Sequence, residues 1–149
     1  MSNETANEVF TAEWALRRLA ERHAYSMDRN VPEILDSIYW PDAVMLAPGF
    51  EIKGIEQIRT LPGMLRDSYE VTAHLIHQQV MTISGDTATG ETFCTASAVQ
   101  KGEGKVRQCT ATFLRYRETC VRRHGEWKFA RREVAFDWSQ THTIDYLRT

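Results

Sequence analysis

Two periodicities divide this chain. Between Thr11 and Met27, Ala12, Leu16, Leu19, Ala20, His23 and Met27 recur at helical spacing on one face. Thr11 stands where an N-cap belongs, so the pattern predicts a helix from there to about Met27, with residues 1–9 frayed. Pro32 opens a second, short helix over VPEILDSIYW that ends before Pro41. AVMLA and FEIKG around Pro48-Gly49 predict a short hairpin, and a third helix follows Gly54 to about Tyr69, kinked or split at Pro62-Gly63.

From Val71 onward the period becomes two. Val71 to Val99 reads as two long strands folded at Gly85-Asp86, because glycine at the first central position takes the positive φ of a primed turn. Lys101-Gly102-Glu103-Gly104 is a polar turn, Lys105 to Arg123 another long strand, and His124-Gly125 a tight loop into EWKFARREVAFDW. In that last strand Trp127 and Phe129 share one parity, whereas Val134, Phe136 and Trp138 share the other. Such a slip near Arg131-Arg132 is the mark of a β-bulge, which bends a sheet. Residues 139–149 read as an irregular tail.

Helices gathered first and strands last predict an α+β fold, one domain over residues 1–149, with three helices packed on a strongly curved, mostly antiparallel sheet. The 18 basic and 20 acidic residues nearly balance, which excludes a basic nucleic-acid surface. The arginines at 115, 117, 122, 123, 131 and 132 alternate with acids and read as solvated strand faces or subunit contacts. The N-terminus lacks a basic and apolar leader, and no run approaches the roughly 20 apolar residues of a membrane span, so a cytoplasmic location is expected. Three cysteines without C-x-x-C spacing support neither a zinc site nor a disulfide framework.

On the first long strand Thr72, His74, Ile76 and Gln78 share one face, and Val71, Ala73, Leu75 and His77 the other. The second set leaves apolar surface with no further element to cover it, which predicts a homodimer or homotrimer through the outer face of the long strands. Trp14 and Tyr25 lie opposite the apolar stripe of the first helix and read as surface residues. The first set, with His23 and Asp28, is the candidate chemistry. His23 is either a core histidine bonded to its surroundings or a group pointing into a cavity. Asp28 stands where the first helix ends, against the helix dipole, and is either functional or a solvated loop residue. A carboxylate beside an imidazole fixes its tautomer and lets it take and return a proton near neutral pH. No phosphate loop, metal-ligand spacing or nucleophile elbow is present, so neither a metal nor a cofactor is expected.

The runs DRNVPEILDSIYWPDAV, AHLIHQQVMTISGDTATGETFC and RYRETCVRRHGEWKFARREVAFDW resemble the SnoaL-like superfamily over about residues 10 to 140. The resemblance is strongest to the branch that contains scytalone dehydratase, hexachlorocyclohexane dehydrochlorinase and bile-acid dehydratase. It implies the cone-shaped α+β barrel of nuclear transport factor 2, and an Asp-His dyad formed by Asp28 and His74. His23 stands where relatives often carry a tyrosine, and Ser97 or Ala98 where scytalone dehydratase has a second histidine. The implied function is a cofactor-independent, dehydratase-like lyase acting on a small, largely apolar cyclic or polyketide-like molecule. In it His74 moves the proton, Asp28 orients it, and His23 polarises a carbonyl, with Gln78 a further polar contact and Met27, Ile76 and Phe93 as apolar walls. A non-catalytic ligand- or protein-binding module of the same fold, or a proton-transfer isomerase, is the alternative.

Overall fold

The computed structural model describes residues 3–147. Helix α1 spans Asn3–Arg29 and so begins well before Thr11, whose hydroxyl bonds back to the Asn7 carbonyl at 2.8 Å from inside the helix. The expected N-cap is thus an interior residue, and only residues 1–2 of the expected frayed segment lie outside the described residues. The apolar stripe does face the core. Leu16 and Ala20 are fully buried, Ala12, Leu19, His23 and Met27 nearly so, while Trp14 and Tyr25 are exposed. Asn30 in the left-handed region (φ 52°) ends the helix, and the Val31 N–H returns to the Ser26 carbonyl at 3.1 Å in a Schellman arrangement.

Helix α2 (Glu33–Ile38) follows Pro32 and leads into β1 (Tyr39–Ala47), which pairs antiparallel with β2 (Phe50–Lys53). The third helix is split into α3 (Ile55–Ile58) and α4 (Leu61–Ser68), with Pro62 in the first turn of α4, where a missing N–H costs no helical bond. Four long strands follow: β3 (Tyr69–Ser84), β4 (Thr87–Gln100), β5 (Val106–Arg123) and β6 (Glu126–Asp145). The segment expected to be an irregular tail is therefore strand through Asp145, paired with β5 from Thr112↔Ser139 to Val106↔Asp145. Its SQTHT run carries no apolar alternation, so nothing in its own pattern marks a strand. A long neighbour offering free backbone groups makes it one.

The sheet order is β2-β1-β6-β5-β4-β3, antiparallel except for the parallel β1–β6 pair, with β2 and β3 as open edges. The helices cover one face of this curved, unclosed sheet. Its bends have local causes. The register of β5 against β6 slips at Ala130, between Thr119↔Arg131 and Cys120↔Phe129, one residue from the expected bulge, and again at Asp137. A further slip lies in β3 between Ile76 and Gln79. Just beyond it β3 crosses so close to β4 that a Cβ on Gly90 would collide with the Val80 carbonyl, so only glycine fits there.

The concave face is apolar where α1, α2 and β1 press on it, through Leu16, Leu35, Ile38, Tyr39, Leu114 and Phe129. Inside this core sits one ion pair. Arg132 meets Glu118 at 2.6 Å with both side chains fully buried, and its guanidinium lies 3.8 Å over the Tyr116 ring and 4.3 Å over that of Phe129. Arg132, grouped by sequence with the solvated strand arginines, is thus a core residue, because the bulge at Ala130 turns it inward. Cys94, Cys109 and Cys120 are buried and free. Removing one partner of a buried pair strands the other charge, so Arg132→Met is expected to cost about 3–5 kcal/mol in urea unfolding, and the double substitution Arg132→Met/Glu118→Leu to recover most of it.

Candidate active site

The site forms where α1 lies along the open edge of β3. An edge strand exposes unpaired backbone groups, and two polar residues of α1, three turns apart on one side of the helix, take them up. Arg17 donates to the carbonyls of His77 and of Ile76 (3.2 Å), at the bulge in β3. Asp28, in the last turn, accepts the His74 backbone N–H on Oδ2 at 2.8 Å. Its Oδ1 accepts from Thr72 Oγ1 at 2.9 Å and from His74 Nδ1 at 2.6 Å. Burial by itself would raise the Asp28 carboxyl, but the bonds and charge from His74, with the Thr72 hydroxyl, hold it below the ordinary aspartate value.

The side chains of His74 and Asp28 are 10% and 19% exposed, enough for a ligand to reach them without opening the fold. With Nδ1 committed to Asp28, Nε2 of His74 has no protein partner among the described residues and is the free end of the ring. Two clefts meet at Asp28. One, of about 550 Å³, lies between the end of α1, α4 and the start of β3, against Met27, Leu65, Tyr69 and Lys101. The other, of about 830 Å³, adjoins His74, Ile76, Val99 and Tyr146. Both are in the size range of small-molecule sites.

His23 lies deeper, 2% exposed, with Nδ1 3.0 Å from the Tyr39 hydroxyl and its ring edge-on to Tyr39 and Tyr116. Burial, then the charges of Arg132 and His74, hold its pKa well below the usual histidine value, so it is neutral. Met27 lines the first cleft and Ile76 the second. Three other expected site residues are elsewhere. Gln78 is the residue that the β3 bulge turns outward, and Gln79 takes the inward place, bonding Thr92 Oγ1 at 2.9 Å. In the β3–β4 register His74 faces Ala96 and Thr72 faces Ala98, so Ser97 and Phe93 belong to the outer face, where Phe93 packs near Phe113. The inward residues that sequence reading passed over are Tyr39, Thr92, Tyr116, Glu118 and Arg132. For Tyr116 and Glu118 a signal was present, since Leu114, Tyr116, Glu118 and Cys120 share one parity.

The two depressed groups act on stability in different pH windows. Below about pH 6.5 the unfolded chain protonates His23 while the folded chain does not, so stability falls with decreasing pH by up to about 1.4 kcal/mol per unit until the depressed folded value is reached. Asp28 adds stability that is present above the ordinary aspartate value and lost as pH falls through its lower folded value. Urea unfolding between pH 5 and 7 should therefore show a slope that His23→Gln flattens and Asp28→Asn leaves in place.

The fold has counterparts among known proteins. Residues 8–133 match the family model described as the SnoaL-like domain. Three solved structures share the fold over 97% of this chain. A putative scytalone dehydratase from Novosphingobium aromaticivorans DSM 12444 is 21% identical, with TM-score 0.79 and 93% of its own chain covered. The hexachlorocyclohexane dehydrochlorinase LinA-type3 from Novosphingobium barchaimii LL02 is 19% identical, with TM-score 0.84 and 99% covered. A hexachlorocyclohexane dehydrochlorinase described as LinA Type2 is 20% identical, with TM-score 0.83 and 97% covered. No curated protein matches the sequence significantly. With the domain match spanning most of its length, the chain belongs to the SnoaL-like family, within the nuclear transport factor 2-like superfamily.

Proposed function

We propose that this protein is a cofactor-independent lyase of the dehydratase type, with His74 as its proton-transfer group and Asp28 as the residue that holds it. The carrying observation is the 2.6 Å bond from His74 Nδ1 to Asp28 Oδ1, which leaves the opposite ring nitrogen free beside a cleft. Nε2 takes a proton from carbon, and the electron pair released forms the new C=C bond as the leaving group departs. The imidazolium then returns that proton to a departing hydroxyl, which leaves as water. Asp28 offsets the charge on the ring between the two steps and keeps the productive tautomer. The structural likeness to a putative scytalone dehydratase and to dehydrochlorinases supports elimination on this fold. The substrate class proposed is a small, largely apolar cyclic or polyketide-like molecule.

The outer sheet face supports a homodimer or homotrimer. Trp138 stacks on Phe113 (5.4 Å between centroids, 7° between planes) and Phe113 on His77, while Leu75, Val80 and Trp138 are all more than half exposed. Among the described residues no helix is long and apolar enough to cross a membrane. The free, buried cysteines fit the reducing cytoplasm, which is where we place the protein.

The test of activity is a screen of hydroxy-ketones and hydroxylated aromatics for absorbance of a conjugated product. His74→Ala should lower turnover by about 10² or more and Asp28→Asn substantially, with the fold intact by circular dichroism. Turnover by His74→Ala within about threefold of wild type would remove the dyad from the mechanism and favour the binding-module reading. Sedimentation should give a species of two or three chains at micromolar concentration, which Trp138→Glu shifts toward the monomer.

A further inference from the structure

Among the described residues most lysines and arginines lie within 4 Å of a carboxylate. Those without such a partner are Arg22, Arg29, Arg66, Lys101, Lys105 and Arg107. Their positions are not scattered. Arg29, Arg66 and Lys101 line the first cleft, between the end of α1, α4 and the start of β3. Tyr146 lines the same cleft, and Lys105 and Arg107 stand next to it. The Tyr146 N–H donates to the Lys105 carbonyl at 2.7 Å, and the Arg107 guanidinium carbon lies 5.7 Å from the centre of the Tyr146 ring. Arg107 Nε and Nη1 are buried and have no hydrogen-bond partner. Arg22 is the exception, bonded to the Ser37 hydroxyl at 2.7 Å in a separate cleft at the β5–β6 turn. The other arginines of that cleft are tied to acids, Arg18 to Glu21 at 2.8 Å and Arg122 to Asp86 at 2.7 Å.

Two carboxylates share the lining of the first cleft. Asp28 has both oxygens committed to His74 and Thr72, whereas Glu70 is exposed and has no cation within 4 Å. Asp67 and Glu103, near Arg66 and Lys101 in sequence, do not line it. Arg29, Arg66 and Lys101 therefore face one uncommitted acid. The second cleft has the opposite character. Its Arg17 is paired with Glu21 at 3.1 Å, and Asp145 adds an uncommitted acid. Ala24, Leu75, Ile76, Val99 and Leu147 give it apolar walls beside His74. Asp28, Arg29, Val71, Thr72 and Tyr146 line both clefts, so one ligand can occupy the two while passing the dyad.

We infer that the first cleft binds an anionic substituent of the substrate, a carboxylate or phosphate held by Arg29, Arg66 and Lys101, while the apolar body lies in the second cleft against His74. The inference rests on the lyase reading of Asp28 and His74 and narrows its substrate class to apolar molecules that carry a negative charge at one end. A cation with no carboxylate of its own is available to a ligand without breaking an existing ion pair. The planar fork of an arginine also matches the oxygens of a carboxylate or phosphate. Exposed ion pairs are individually weak, so three cations around one cleft are what a measurable preference requires. The charge of Arg107, partly withdrawn from solvent behind Tyr146, adds to the potential on the same side. Asp145 repels an anion from the second cleft, which fixes the direction in which the ligand lies. Anchoring one end turns a chosen edge of the body toward His74, and a held orientation is what proton transfer from carbon needs.

The test needs no known substrate. Three probes with one ring system, 2-naphthoate, 2-naphthyl phosphate and the neutral 2-naphthylmethanol, are titrated into the full-length protein by calorimetry. At low ionic strength at least one anion should bind about tenfold or more tighter than the alcohol, and which of the two wins tells carboxylate from phosphate. The preference should shrink between about 0.01 M and about 0.15 M salt, as the Debye length falls from about 30 Å to about 8 Å. Arg66→Gln/Lys101→Gln should cut it to about threefold or less and leave alcohol binding within about twofold. Glu70→Gln should enlarge it, and Arg18→Gln, in the separate cleft, should leave it in place. Anion affinity that is absent, equal to that for the alcohol, or unmoved by both the double substitution and Glu70→Gln overturns the inference. His74→Ala should keep the anion preference even as it loses turnover, so a failure of the dyad and a failure of the anion site are read separately.

Discussion

The open edge of β3 is the constraint from which the site follows. A sixteen-residue strand at the end of a sheet that does not close leaves backbone N–H and C=O groups facing outward, and these must be paired, covered or left to water. Here α1 lies along the edge, and its polar residues do the pairing. Arg17 takes the carbonyls freed at the bulge, and Asp28 takes the N–H of His74. The carboxylate that closes the edge is the one that grips the His74 ring, so the backbone bond places the carboxylate and the side-chain bond orients the imidazole. Coupling the two functions in one residue means the dyad is positioned by the same contact that docks the helix.

An acid in the last turn of a helix opposes the helix dipole, by a few tenths to about 1 kcal/mol at an exposed site. Three hydrogen bonds to the carboxylate compensate, which is why Asp28 stays ionised despite its partial burial. The function proposed for the pair uses this ionised carboxylate beside the His74 ring. The Schellman turn at Asn30 ends the helix two residues after Asp28.

Beneath the dyad, the bulges decide which side chains are inside. One extra residue at Ala130 puts Arg132 in the core opposite Glu118, and one in β3 replaces Gln78 by Gln79 in the interior. An ion pair in such a place adds little net stability over apolar packing, because desolvating both charges cancels most of their attraction. What it supplies is a fixed set of donors and acceptors. The guanidinium orients the Tyr39 hydroxyl, Tyr39 orients His23, and burial, reinforced by the positive charge, keeps His23 neutral. The polar core and the dyad thus lie on the same concave face, one built around the buried Arg132–Glu118 pair, the other with a free nitrogen at a cleft.

Much of this arrangement is local and therefore legible along the chain. The stripe from Ala12 to Met27, the turns at Gly85-Asp86 and His124-Gly125, and the parity slip after Phe129 are short-range patterns, and each corresponds to an element or bend in the structure. Asp28 and His74 were legible as candidates, one by its unfavourable place at a helix end, the other by its place on a half-polar strand. The rest depended on contacts between distant segments. The start of α1 at Asn3 and the extension of β6 to Asp145 come from neighbours that support polar stretches with no apolar period of their own. The β3 bulge has no hydrophobic slip to announce it, because His77, Gln78 and Gln79 are all polar, so parity alone placed Gln78 inside. Ser97 and Phe93 turned outward because strand register is set by pairing, and a shift of one residue exchanges the two faces. Sequence by itself determined which elements form and which residue types could carry the chemistry. Only the tertiary structure decided which of them share the concave face, since that depends on register and bulges that no single strand encodes.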